Sequence, residues 1–166
     1  MKLYFIPGLG ADKRVFRHIH LPDGYEMVHI DWIPPQPTES LHDYAIRLAE
    51  KIDMNENWGL VGLSFGGMLA AEISRLYKPK HTILIASISS PAQLPFYYKI
   101  VAPLKVHKIL PISLFKNASL ARRIFTTETD EDKALLRKII SESDPAFIRW
   151  ALGAILSWKA TDLPAD

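Results

Sequence analysis

Short, continuously apolar runs alternate with stretches of helical period through the first half of the chain. Lys2–Ile6 is such a run, stopped by Pro7-Gly8-Leu9-Gly10, and predicts a buried strand followed by a tight glycine turn. Residues 12–19 read as a short helix with Val15, Phe16 and Ile19 on one face. Residues 25–30 form the second strand, closed by the proline cluster Pro34-Pro35-Gln36-Pro37. Thr38 or Ser40 caps the next helix, in which Leu41, Tyr44, Ala45, Leu48, Ala49 and Ile52 follow the helical period. Trp58–Leu63 is the third strand, residues 64–77 a helix rich in small and apolar positions and ended by Pro79, and residues 81–88 the fourth strand. Strands that are apolar at every position expect burial on both faces. Their alternation with helices implies a mostly parallel sheet flanked by helices, an α/β fold with right-handed crossovers.

After Ser89-Ser90-Pro91 no strand run follows. Residues 96–110 are apolar and aromatic with Lys99, Lys105 and Lys108 interspersed, and Pro95, Pro103 and Pro111 break the segment into short pieces. Residues 120–125 make a short helical piece. Thr129 caps a helix with Glu131 and Asp132 in its first turn, as the helix dipole favours, and Leu135, Leu136, Ile139 and Ile140 as its stripe. Asp144-Pro145 opens a further helix with Phe147, Ile148, Ala151, Leu152 and Ile155 on its apolar face. The chain therefore divides into an α/β part at 1–91, a helical part at 92–158 and a polar, proline-bearing tail at 159–166. The fourth strand is left as an apolar edge, which expects either further strands or a second copy of the chain to cover it.

Composition narrows the function. The 166 residues suit one domain, and a net charge of +2 without a Lys/Arg block excludes the electrostatic footprint of a nucleic-acid binder. The absence of cysteine removes disulfides, a thiol nucleophile and Cys-ligated zinc or iron–sulfur sites. Leu3-Tyr4-Phe5-Ile6 is too short for a signal-peptide core, and no apolar run is long enough to span a bilayer. A soluble cytoplasmic protein without membrane attachment is the default expectation. His29, Asp31 and His42 lack ligand spacing, so neither a metal nor a cofactor is expected.

Gly62-Leu63-Ser64-Phe65-Gly66 matches G-x-S-x-G and is followed by Gly67. The spacing alone is common; its setting between a strand and a helix is what a nucleophile elbow requires. In that turn Ser64 projects above the C-terminal edge of the sheet, Gly62 and Gly66 remove Cβ atoms that would collide, and Gly67 lets the helix approach the sheet. The plain alternative is a strand–helix turn with Ser64 as an ordinary N-cap. The turn after the first strand opens at the same edge. Leu9 N–H from that turn and Phe65 N–H, just after the serine, are the candidate pair for an oxyanion hole; the plain alternative is a strand-ending turn.

In these residues, in Phe5-Ile6-Pro7-Gly8-Leu9-Gly10, and in the strand leading to Ser89-Ser90-Pro91, the chain resembles the N-terminal and middle portion of an α/β-hydrolase. Many members carry His-Gly after the first of these strands; here Pro7 stands in place of that His, so only the backbone role carries over. The resemblance implies a partial α/β-hydrolase fold with 92–158 as a helical cap. It implies hydrolysis of an ester or related acyl bond of a small-molecule substrate through a covalent acyl-serine intermediate. It also implies the order serine, acid, histidine. After Ser64 only His81 and His107 occur. His81 starts a strand at the wrong edge, and His107 lies in the cap segment. His18, His20, His29 and His42 precede the serine; Asp12, Asp31 and Asp144 read as turn or helix caps. Two expectations follow. In the first, these residues belong to a longer hydrolase whose acid and base lie beyond Asp166, and the chain alone is inactive or very weak. In the second, the chain is a hydrolase-like binding module without catalysis.

Overall fold

The computed structural model describes residues 1–94 and 129–159. The segment 96–110 with His107, the piece 120–125 and the tail beyond Lys159 lie outside the described residues. Four strands, β1 (Lys2–Ile6), β2 (Glu26–His29), β3 (Trp58–Leu63) and β4 (His81–Ile85), form one sheet in the order β2-β1-β3-β4. Every pairing is parallel; β1 aligns Lys2 with Glu26 on one side and with Trp58 on the other. Among the described residues four helices accompany the sheet: α1 (Leu41–Ala49), α2 (Phe65–Tyr77), α3 (Asp130–Glu142) and α4 (Pro145–Leu156).

The central strands β1 and β3 bury both faces, their successive side chains pointing to opposite sides, whereas β4, expected to be buried as well, has no buried residue because it lies at an edge of the described sheet. Tyr4, Ile6 and Leu60 enter a large core with Leu41, Tyr44, Leu48, Leu69 and Ile73 of α1 and α2. Leu3, Phe5 and Val61 face the other way and pack with Phe16. Phe16 belongs to a short 3-10 helix, Lys13–Phe16, where the sequence suggests a helix over 12–19; Asp12 caps it by accepting from Arg14 N–H. From the helical part, Phe147, Ala151, Ala154 and Ile155 of α4 and the following Trp158 also lie in the large core. The end of the segment read as a cap is thus part of the main packing.

Helix starts follow their sequence signals. Ser40 rather than Thr38 caps α1, accepting from Asp43 N–H at 3.1 Å. Thr129 caps α3 and Asp144 caps α4 in the same way. α1 ends at Ala49, and the chain runs on to buried Ile52 through hydrogen-bonded turns. β4 ends at Ile85, three residues before the expected limit, because Ala86 takes φ 46° and turns the chain. β4 is an edge of the described sheet, and Ile83 on it is 48% exposed. Among the described residues no helix is long and apolar enough to cross a membrane.

Candidate active site

Three loops open at the C-terminal edge of β1, β3 and β4 and meet around Ser64. The serine joins β3 to α2 with φ 50° and ψ −116°. A non-glycine residue adopts such a conformation only at a cost of order 1–3 kcal/mol, held by its surroundings. The surroundings are visible. Ser64 N–H donates to Ile85 O at 2.9 Å, and Ser64 O accepts from Gly67 N–H at 2.9 Å and from the Ser87 hydroxyl at 2.6 Å. The turn at Ala86, just after β4, is what brings Ser87 there.

The flanking glycines are required by backbone crowding. A Cβ on Gly62 would lie 2.5 Å from Gly66 O and Gly67 Cα. One on Gly66 would lie 2.3 Å from both Ile6 O and Pro7 O, so this glycine admits the end of β1 rather than merely relieving the elbow itself. One on Gly67 would lie 2.4 Å from Ser87 Cβ. The side chain of Ser64 makes no capping hydrogen bond, although the residue occupies the N-cap position of α2. A serine retained for capping would accept from the first turn; this one, partly exposed, makes no such bond.

The glycine turn after β1 lies alongside. Ala11 N–H closes it onto Gly8 O at 2.9 Å, and Gly10 supplies the positive φ of 70° that the turn needs. A Cβ built on Gly8 would sit 3.5 Å from Ser64 Cβ, so turn and serine are neighbours. Among the described residues neither Leu9 N–H nor Phe65 N–H donates to a turn, loop or cap carbonyl. Phe65 is the first residue of α2, where the helix leaves N–H groups without intrahelical partners. Trp32, after β2, ties its indole N–H to Ala11 O at 2.8 Å and packs on Phe65 and Phe147. A cavity of about 340 Å³ opens beside this turn, with Gly10, Trp32, Ile33, Ile139, Glu142 and Phe147 in its wall.

Among the described residues no histidine is paired with Ser64. His81 begins β4, at the end of the sheet remote from the elbow. His29 lies in β2 and stacks on Phe16, with Nδ1 buried and unpartnered; burial holds its imidazole below the ordinary value. His18 Nε2 approaches Asp132 Oδ1 at 2.9 Å. His42 Nδ1 lies 3.0 Å from Glu72 Oε2. Asp12 is engaged by Arg14, whose hydrogen bonds hold its carboxyl below the usual range. Asp31 is exposed, and Asp144 caps α4. Among the described residues no group of three metal-ligating side chains converges.

One polar centre escapes the sequence reading. Glu72, in the middle of α2, is 1% exposed. Its carboxylate accepts from Arg75 at 2.6 Å and from Trp158 Nε1 at 2.9 Å, besides facing His42. Arg75 in turn donates to Ser89 O. The signal was present: Glu72 lies between Leu69 and Ile73 on the inward face of an apolar helix, where a carboxylate must find partners.

The chain compares with known proteins as this geometry suggests. No curated protein matches it. Among solved structures it is similar to MenH from S. aureus, with 20% identity and a TM-score of 0.68 over 93% of this chain and 65% of that one. RedJ, a thioesterase from the prodiginine biosynthetic pathway of Streptomyces coelicolor, aligns with 17% identity and a TM-score of 0.63, over 97% of this chain and 65% of that one. An esterase from Exiguobacterium antarcticum aligns with 15% identity and a TM-score of 0.66, over 96% of this chain and 67% of that one. These likenesses are of fold, and the chain spans 65% of the length of the first two structures. The alpha/beta hydrolase family model matches residues 3–165, nearly the whole sequence. A parallel sheet with a serine on the turn from β3 to α2 is thus accompanied by a family match across both halves, and the chain belongs to the alpha/beta hydrolase family.

Proposed function

We propose that the protein is a serine hydrolase that cleaves an ester or thioester of a small-molecule substrate, with Ser64 as nucleophile. The observation that carries this is the strained backbone of Ser64 at the strand–helix junction, with its hydroxyl unused for capping. Strain of this kind persists only where neighbours enforce it, and here three glycines and the Ser87 hydroxyl do so. The thioesterase and esterase among the structural neighbours support the acyl-bond class.

In the reaction, Ser64 Oγ attacks the acyl carbon while its proton passes to a general base. The carbonyl oxygen becomes an oxyanion, which Leu9 N–H and Phe65 N–H receive. Collapse expels the alcohol or thiol, which takes up that proton, and leaves an acyl-serine. Water then attacks the ester and restores Ser64. The structure offers no base for Ser64 among the described residues, so we assign the histidine and its orienting acid to residues outside them.

A fluorophosphonate probe tests the assignment. It should label the natural full-length protein at Ser64, and Ser64→Ala should abolish both the label and hydrolysis of a short p-nitrophenyl ester. A full-length protein that stays unlabelled at Ser64 would favour the non-catalytic binding module instead.

A further inference from the structure

The end of β4 holds the backbone of Ser64 on both sides. Ile85 O accepts from Ser64 N–H at 2.9 Å, and the Ser87 hydroxyl donates to Ser64 O at 2.6 Å. Two residues of one strand end thus address a single residue of the neighbouring strand's turn. An extended chain would carry residue 87 about 7 Å beyond residue 85. Ala86, at φ 46°, leaves that path, a backbone conformation that a residue with a side chain keeps only where its surroundings hold it. Ser87 is half-buried there and fitted to the strand–helix turn. A Cβ on Gly67 would lie 2.4 Å from both Ser87 Cβ and Ser87 Oγ, so the glycine leaves room for this one side chain.

The bond from Ser87 reaches further than Ser64. Ser64 C=O and Phe65 N–H are the two ends of one peptide unit. That unit is planar and trans, so its C=O and N–H point in opposite directions. A donor that fixes Ser64 O therefore also fixes the direction of Phe65 N–H. A hydrogen bond to the carbonyl also polarises the unit and strengthens the bond its N–H donates, by about 10–30%. Gly67 N–H and Met68 N–H bind the same oxygen at 2.9 and 3.3 Å, but these belong to the first turn of α2. Ser87 supplies the bond from outside the helix. Among the described residues Phe65 N–H itself donates to no turn, loop or cap carbonyl. We infer that Ser87 is a positioning residue for the oxyanion: by holding Ser64 O, its hydroxyl aims and polarises Phe65 N–H.

This role rests on Ser64 as nucleophile and Phe65 N–H as oxyanion donor, and it acts through their shared peptide alone. The oxyanion develops in the transition state, so a donor aimed at it changes the chemical step rather than substrate binding. Removing one oxyanion donor outright costs about 10²–10³ in kcat, and loosening a donor that stays in place should cost less, about 10-fold. Acylation and deacylation each pass through an oxyanion, so both slow together and KM keeps its value.

Steady-state hydrolysis of a short p-nitrophenyl ester by the natural full-length protein tests this, with Ser87→Ala, Ser87→Cys and Ser87→Thr. Cysteine fills the space of serine but is a weak donor, whereas threonine keeps the hydroxyl. Ser87→Ala and Ser87→Cys should each lower kcat about 10-fold. KM should stay within about 2-fold, as for an interaction made only in the transition state. Ser87→Thr should return kcat to within about 3-fold of the wild type. An unchanged thermal midpoint in Ser87→Cys separates the lost bond from lost packing. Wild-type kcat in Ser87→Cys would overturn the inference, as would a loss carried wholly by KM or a Ser87→Thr protein as slow as Ser87→Ala. Failure of the underlying reading shows differently. A wild type that neither hydrolyses the ester nor takes the fluorophosphonate label at Ser64 removes both, whereas a labelled wild type indifferent to Ser87 removes only this role.

Discussion

Replacing Gly66 by alanine tests the reasoning that links the elbow to the sheet. The new methyl carbon would lie 2.3 Å from both Ile6 O and Pro7 O, more than 1 Å inside the ordinary contact range of 3.4–4 Å. Both obstacles are backbone. Ile6 ends a central strand paired on both sides, so relief requires β1 or the elbow to move as a unit. Overpacking in a well-ordered interior costs about 1–3 kcal/mol, and rigid backbone on both sides places Gly66→Ala at the upper end, about 3 kcal/mol. Against a total stability of about 5–15 kcal/mol that is a large fraction. Gly8→Ala is the internal control: its Cβ would meet nothing nearer than 3.5 Å, so it should cost under about 1 kcal/mol. Urea unfolding followed by far-ultraviolet circular dichroism, at equal m-value, measures both. A Gly66→Ala protein within about 0.5 kcal/mol of the wild type, or no less stable than Gly8→Ala, would refute the crowding argument.

Two further outcomes are expected. Glu72→Ala strips the carboxylate from Arg75, Trp158 and His42 at a buried site and should cost about 3–5 kcal/mol in the same unfolding assay, with Glu72→Gln milder. Acid should loosen α3: hydrogen bonds from His18, Thr129 and Arg17 hold the Asp132 carboxyl well below its ordinary 3.8, and Arg14 lowers Asp12 in the same direction. A depressed carboxylate contributes stability above its unfolded value and loses it as pH falls toward its folded value. Attachment of α3 should therefore hold down to about pH 4 and fail below, and Asp132→Asn should flatten that limb in a pH series of amide exchange.

Much of the fold was legible because its signals are local. Apolar runs marked the four described strands, Thr38 or Ser40, Thr129 and Asp144 marked three helix starts, and the glycine spacing around Ser64 marked the strand–helix turn. Boundaries were less legible where a tertiary contact set them. Residues 86–88 look as strand-like as those before them, yet Ala86 turns so that Ser87 can reach Ser64 O. The reach of Gly66 into the end of β1 was equally hidden, since the motif displays only its immediate neighbours.

Sequence by itself thus determined where the four strands and α1 to α4 lie to within a few residues, that the sheet is parallel, and that a serine would occupy the turn from β3 to α2. These follow from periodicity and turn chemistry within a few residues. Tertiary structure alone decided the strand order β2-β1-β3-β4, the entry of α4 into the main core, the Glu72 centre, and the ion pairs of Arg14 and Arg17 with α3. The last three depend on groups more than 80 residues apart, such as Trp158 with Glu72 and Arg17 with Asp132. A charged residue in a sequence shows that it needs a partner, but only the folded chain brings one of several equivalent candidates within hydrogen-bonding distance.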